Sequence, residues 1–467
     1  MKNFLKKIEF RYQDIILLIS LGLSLFIFIE SSNLFRIINP ITSISPFWLP
    51  TTAFIMMIIG FISYFIIENR YKPIHIDKIL TIILFILMIT GTIAIFIEPE
   101  TFTIGITNKI NPMYPSGAVI DVTTYLYLEP KFIFFYGWIN NLLLAGVALF
   151  IIPHRFKTLY IVKILLWGML IFVSVNFIYS LCTEYNNYLE ILKRLFLIEK
   201  DISGIEQFGI KGFMSHRNGY ATMFEICITV GLIVLGYTRK KRYIFPIVFT
   251  YILLLFTICK TAILIISIAF IIYLIWLAII MIKNKNKKGK IILTITILVV
   301  SIIAILLSVL VAINSSFRNV IANFFINSNT FISRTYIWEN TLTILGPTGW
   351  IIGRGFGDFN VILHNANIVS SIDDTSYAHS FIFSSLGRGG VIALLLIIFL
   401  ITFIVNYNIK LYKKNKYLIL ATIIAAFVLI LRGLMEDDHY YHLFILLTML
   451  LLVKKNEPKI ESIRQID

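Results

Sequence analysis

The sequence predicts an all-α fold: a polytopic bundle of transmembrane helices forming a single domain over residues 1–467. Three observations predict it. Of the 467 residues, 58% are hydrophobic and only 14% charged, against about 25% charged in soluble globular chains. The apolar residues come in runs of roughly 20, the length a helix needs to cross a hydrocarbon core in which no backbone polar group can go unpaired. Lys and Arg gather in short clusters between those runs, as in Thr238-Arg239-Lys240-Lys241-Arg242. Such clusters hold loops on the cytoplasmic side. They read as topology signals and not as a nucleic-acid surface, despite the net charge of +16.

Taken in order, the candidate spans are 13–30, 46–67, 79–97, 131–152, 158–181, 217–237, 243–259, 261–282, 291–313, 379–406, 418–435 and 440–453, about 12 in all. The first is expected to be retained as a helix, because a further polytopic run follows it and no small-residue cleavage site does. Tyr243 to Ile282 is 40 residues with one charge, Lys260. As one helix it would measure ~60 Å, against a ~30 Å core. The chain must therefore turn near Lys260, leaving an ammonium at a membrane surface between two helices.

Assigning loops alternately to the two sides puts 27 of the 41 Lys and Arg on the side of the N-terminus. Both termini are thus expected in the cytoplasm. The long polar segments 99–130, 182–215 and 314–378 then fall outside. The last is a long extracytoplasmic loop before the tenth span, and its stretch from Ser333 to Leu345 is expected to form a short amphipathic helix. Whatever chemistry occurs has its polar groups where nucleotide sugars and ATP are absent.

Five polar constellations lie on that side. Ser333 is a plausible N-cap, with Arg334 in the first turn after it. A cation there opposes the helix dipole unless an anion shares the place, as a phosphate would. The other reading is an interfacial arginine snorkelling to headgroups. Gly349 to Asp358 carries four glycines, open to close backbone approach or to a plain turn; it is no dinucleotide fingerprint, having no βαβ unit around it. His379 stands where the loop enters a helix, with Arg388 ~13 Å further along, and serves either as a helix cap or as a proton-transfer group. Lys211 to Ala221 opens another span with His216 and Arg217, either interfacial anchors or ligands, and Glu225 follows as a buried carboxylate. The outer turn Glu436-Asp437-Asp438-His439 is either a metal site or solvated acid. Cys182, Cys227 and Cys259 give neither a disulfide framework nor a CxxC pair, and no HExxH, P-loop or GxSxG pattern occurs.

These pieces, in their order over 210–395, resemble the O-antigen ligase and Wzy-type polysaccharide polymerase superfamily. They are Gly212-Phe213 through Asn218-Gly219; Cys259-Lys260-Thr261-Ala262; Ser333-Arg334 with Trp338; Gly353 through Gly357; and Ala378-His379-Ser380, with Gly390 eleven residues after the histidine. The resemblance implies transfer of a glycan from an undecaprenyl-pyrophosphate carrier to a sugar hydroxyl, with neither cofactor nor metal, at a bacterial cell membrane. It implies that Arg334 holds the pyrophosphate and that His379 is the general base. Lys260 stands where the family has a second arginine, giving a point charge in place of a bidentate fork; Arg217 is carried over as a further pyrophosphate ligand. His379-Ser380 replaces the commoner His-Asn. The implied partners are the lipid-linked glycan and membrane lipid, with a flippase and a chain-length regulator of the same pathway.

A polymerase of capsule, exopolysaccharide or O-antigen repeat units is preferred to a ligase, because the Ile-, Lys- and Asn-rich usage is that of AT-rich genomes, many of whose bacteria lack the lipid A acceptor. The rival from another class is a flippase, which would show two similar halves with midplane charges and broken helices. No such repeat is visible.

Overall fold

One helix is buried on every side from Tyr220 to Val234, and the rest of the bundle is built around it. Its sequence is apolar all round with no polar stripe, the pattern of a helix that faces neither water nor lipid. The computed structural model describes residues 78–97, 101–110, 119–127, 158–196, 208–214, 217–313, 358–365, 372–377, 380–411 and 415–435, with isolated positions at 55–62 and 338–353.

In chain order the described elements are α1 (Lys78–Ile97), β1 (Thr101–Ile110), β2 (Val119–Tyr127), α2 (Thr158–Thr183), α3 (Tyr185–Phe196), the central α4 (Arg217–Thr238), a 3₁₀ turn at Lys241–Tyr243, α5 (Ile244–Phe256), α6 (Lys260–Lys283), α7 (Lys287–Ile313), β3 (Asp358–Asn365), β4 (Ile372–Tyr377), α8 (Phe381–Leu411) and α9 (Lys416–Met435). Eight of these helices fall on expected apolar runs. Among the described residues, four are long and apolar enough to cross a membrane: Val162–Thr183, Arg217–Thr238, Lys260–Lys283 and Lys416–Leu434. The expected spans at 13–30, 131–152 and 440–453 lie outside the described residues.

The helices alternate in direction, and side-chain contacts fix which ends coincide. Asn218 at the start of α4 accepts a bond from the Cys259 thiol, just before α6. At the opposite end the Arg239 guanidinium lies 4.5 Å over the Tyr417 ring at the start of α9. The clusters 239–242 and 283–290 therefore share one end of the bundle with Lys410 and Lys416, while Arg217, Lys260 and the last turn of α9 share the other. The turn expected near Lys260 is present. Helix α5 stops at Phe256, Ile258 adopts φ 50°, and α6 starts at Lys260. Helix α7 shows apolar side chains such as Ile291, Leu298 and Leu306 to the outside, as a lipid-facing helix does.

Two features differ from the sequence reading. The span at 379–406 is kinked within α8, where Gly389 and Gly390 leave helical geometry (φ −146° and 64°). Segments 99–130 and 314–378, for which no strands were expected, contain a four-stranded antiparallel sheet of order β1-β2-β3-β4. The all-α expectation thus covers the bundle and lacks this sheet. Strand β2 pairs with β3 from Ile120↔Asn365 to Tyr125↔Asn360, joining two segments far apart in the chain. Alternation such as Thr101-Phe102-Thr103-Ile104 is the period-2 signal of a strand. The register shifts between Thr103 and Ile106, around Gly105, a usual place for a bulge.

Candidate functional site

The chain reaching Arg217 is tied down on three sides. Backbone N–H groups of Lys211 and Gly212 donate to the Glu184 carboxylate at 3.3 and 3.0 Å, and Phe213 N–H donates to Asn176 Oδ1 at 2.7 Å. Ile210 N–H donates to the Phe256 carbonyl at the end of α5, and the Phe213 ring stacks on Tyr179 at 4.1 Å. Gly212 has φ +58° and passes against the Asn176 amide, so a Cβ there would overlap that side chain. Glu184 lies in the break between α2 and α3, outside the spans. Desolvation raises its carboxyl above the ordinary range, and the Gly212 and Lys211 N–H groups and the Lys211 charge only partly offset this. Nearby, Tyr188 of α3 shares a 2.7 Å bond with Ser180, and burial pushes its hydroxyl up to about 12.

The start of α6 is built beside it. Cys259 N–H donates to Thr257 Oγ1, which closes the turn, and the Cys259 thiol donates to Asn218 Oδ1 at 3.3 Å. Arg217 and Lys260 are the first residues of α4 and α6, and both are half-buried. Two cations thus sit at the positive ends of two adjoining helix dipoles. Both the charges and the helix dipoles favour an anion at that end of the bundle.

Beneath lies an ion pair that sequence reasoning half missed. Glu225 Oε2 is 3.1 Å from Arg432 Nε, with the side chains 3% and 1% exposed. A second guanidinium nitrogen, Nη1, donates to Thr261 Oγ1. Glu225 was singled out from the sequence, but Arg432 was not. The available signal was a lone arginine inside the apolar run 418–435, since an ionisable residue at membrane depth needs a partner.

The other expected site residues, Arg334 and His379, lie outside the described residues, as do His216, Arg354 and the acidic turn 436–439. Their flanks are described. Trp338, four residues after Arg334, stacks on Phe383, four residues after His379, with ring centroids 5.2 Å apart and planes 8° from parallel. Gly390 packs against the backbone of Ile351 and Gly353. Two pairs of motifs read separately in the sequence are therefore in contact: the Trp338 and His379 segments, and the Gly349–Gly353 and Gly387–Gly390 segments. Ser380, just before α8, and Ser384 and Ser385 in its first turns are buried.

Comparison with known proteins adds a family. The O-antigen ligase family model matches residues 245–398, from the start of α5 to beyond the kink of α8, a range that includes Lys260, Arg334 and His379. No curated protein and no solved structure matches the chain.

Proposed function

We infer that this chain, whose residues 245–398 match the O-antigen ligases and support its membership of the O-antigen ligase and Wzy-type polymerase superfamily, polymerises undecaprenyl-pyrophosphate-linked oligosaccharide repeat units on the outer face of a bacterial cell membrane. The observation that carries the reading is the convergence of Arg217 and Lys260 at two adjoining helix starts, on the end of the bundle away from the basic clusters. A diphosphate is the anion that such a place fits.

In this mechanism His379 takes the proton of an acceptor hydroxyl as its oxygen bonds to the anomeric carbon of the donor glycan. The bond from that carbon to the pyrophosphate breaks, and Lys260, Arg217 and Arg334 stabilise the departing charge. The Trp338–Phe383 stack supports a meeting of the Arg334 and His379 segments. A ligase of the same superfamily is the second reading, favoured by the description of the matching family.

Complementation of a strain lacking the gene tests this. Wild type is expected to restore a ladder of chain lengths, and Arg334→Ala and His379→Ala to leave single repeat units on the acceptor. Absence of any surface glycan on deletion would point to a flippase. Full-length ladders from both variants would remove the reading altogether.

A further inference from the structure

We propose that Arg432 is a positioning residue that sets Lys260 and Arg217 in register for a diphosphate; this rests on the functional reading above in taking those two cations as the anion's ligands. Neither Arg432 nor Glu225 falls within the residues matched by the family model. Arg432 is the charged side chain of the apolar run 418–435 and is fully buried, and Glu225 and Thr261 beside it belong to the two helices that open with the candidate cations. Glu225 lies eight residues into α4 from Arg217, about 12 Å along the axis. Thr261 adjoins Lys260 in the first turn of α6.

The chemistry of the contact matters. Glu225 neutralises the guanidinium, so the pair adds no net charge to the cationic rim above it. The ion pair joins α9 to α4. The bond from Nη1 to Thr261 does something else: it ties the first turn of α6 to the same rigid plane that holds α4. Arginine presents Nε and Nη1 donors in a fixed fork, which lysine lacks. Together with the Asn218–Cys259 bond at the rim, the helix starts are pinned at two depths. Small displacements of a charge cluster are costly in binding and rate, because its geometry must match the anion before the ligand arrives.

Binding of undecaprenyl pyrophosphate to the purified full-length protein in lipid nanodiscs tests the proposal, with thermal unfolding followed in parallel. Arg432→Lys is expected to fold and to bind about tenfold more weakly, and Thr261→Val about threefold more weakly. The deciding measurement is the double variant with Lys260→Ala. If Arg432 acts through Lys260, Arg432→Lys adds little to the loss caused by Lys260→Ala, whereas independent effects add. Should Arg432→Lys fail to fold, the Thr261→Val and Lys260→Ala cycle decides in the same way. Additive losses, or wild-type affinity in both single variants, would overturn the proposal while leaving the functional reading intact. Wild-type protein that does not bind the lipid would overturn both.

Discussion

Replacing Gly390 by alanine should uncouple two of the glycine segments. Gly390 has φ 64° and ψ −162°, a region open essentially to glycine and costing other residues about 1–3 kcal/mol. A Cβ at this position would also overlap the carbonyl of Ile351 and come within 2.7 Å of Gly353 N. Both neighbours are backbone, so no rotamer change relieves the overlap; the kink of α8 or the 349–353 segment must move. Overpacking of that kind costs about 1–3 kcal/mol, and the two effects together come to about 2–6 kcal/mol. The assay is thermal unfolding in nanodiscs alongside the glycan ladder of a complemented strain, with lowered stability and shortened chains expected. Gly168→Ala is the control. It lies in α2 with nothing within 4 Å of an added Cβ, and alanine favours a helix over glycine by about 1 kcal/mol. Wild-type stability and ladder in Gly390→Ala would refute the packing argument.

Three further outcomes follow from the same geometry. Glu184 has its folded carboxyl raised by burial, so the native state binds more protons than the unfolded chain above the ordinary carboxylate range. Stability should then fall as pH rises through that interval, and Glu184→Gln, which keeps an acceptor for Gly212 N–H, should flatten the slope in a pH series of unfolding curves; an unchanged slope would assign it to other groups. Lys260→Ala should reduce polymer formation about hundredfold in a membrane assay with lipid-linked repeat units, whereas Lys260→Arg should retain it by restoring a guanidinium fork; equal activity of Lys260→Ala and wild type would exclude the lysine from the site. Trp338→Ala should destabilise by about 0.5–1.5 kcal/mol through loss of its stack on Phe383, while Trp338→Phe keeps most of the contact, a difference read from unfolding midpoints.

The bundle was legible because its signals are local. A run of apolar residues must be a helix in lipid, since only a helix satisfies its own backbone there. The turn before Lys260 followed from length alone, and the sharing of bundle ends followed from the placement of basic clusters, now seen in the Arg239–Tyr417 contact. The candidate cations Arg217 and Lys260 were also visible singly, as charges at helix entries.

Other features are not properties of any one segment. The sheet was missed because its polar, β-branched strands sit inside segments judged only by their lack of apolar runs, and strand pairing across 120–365 is a long-range choice. Arg432 looked like one charge near the end of a span; its meaning appears only when α9 packs beside α4 and α6, placing Glu225 and Thr261 around it. Gly390 and the 349–353 backbone likewise acquire their roles from each other. By itself the sequence determined which runs form apolar helices and where charges stand along the chain, because hydration and backbone bonding act on each segment alone. Which charges meet was decided only by tertiary packing, because a contact between helices depends on two surfaces that no single stretch of sequence contains.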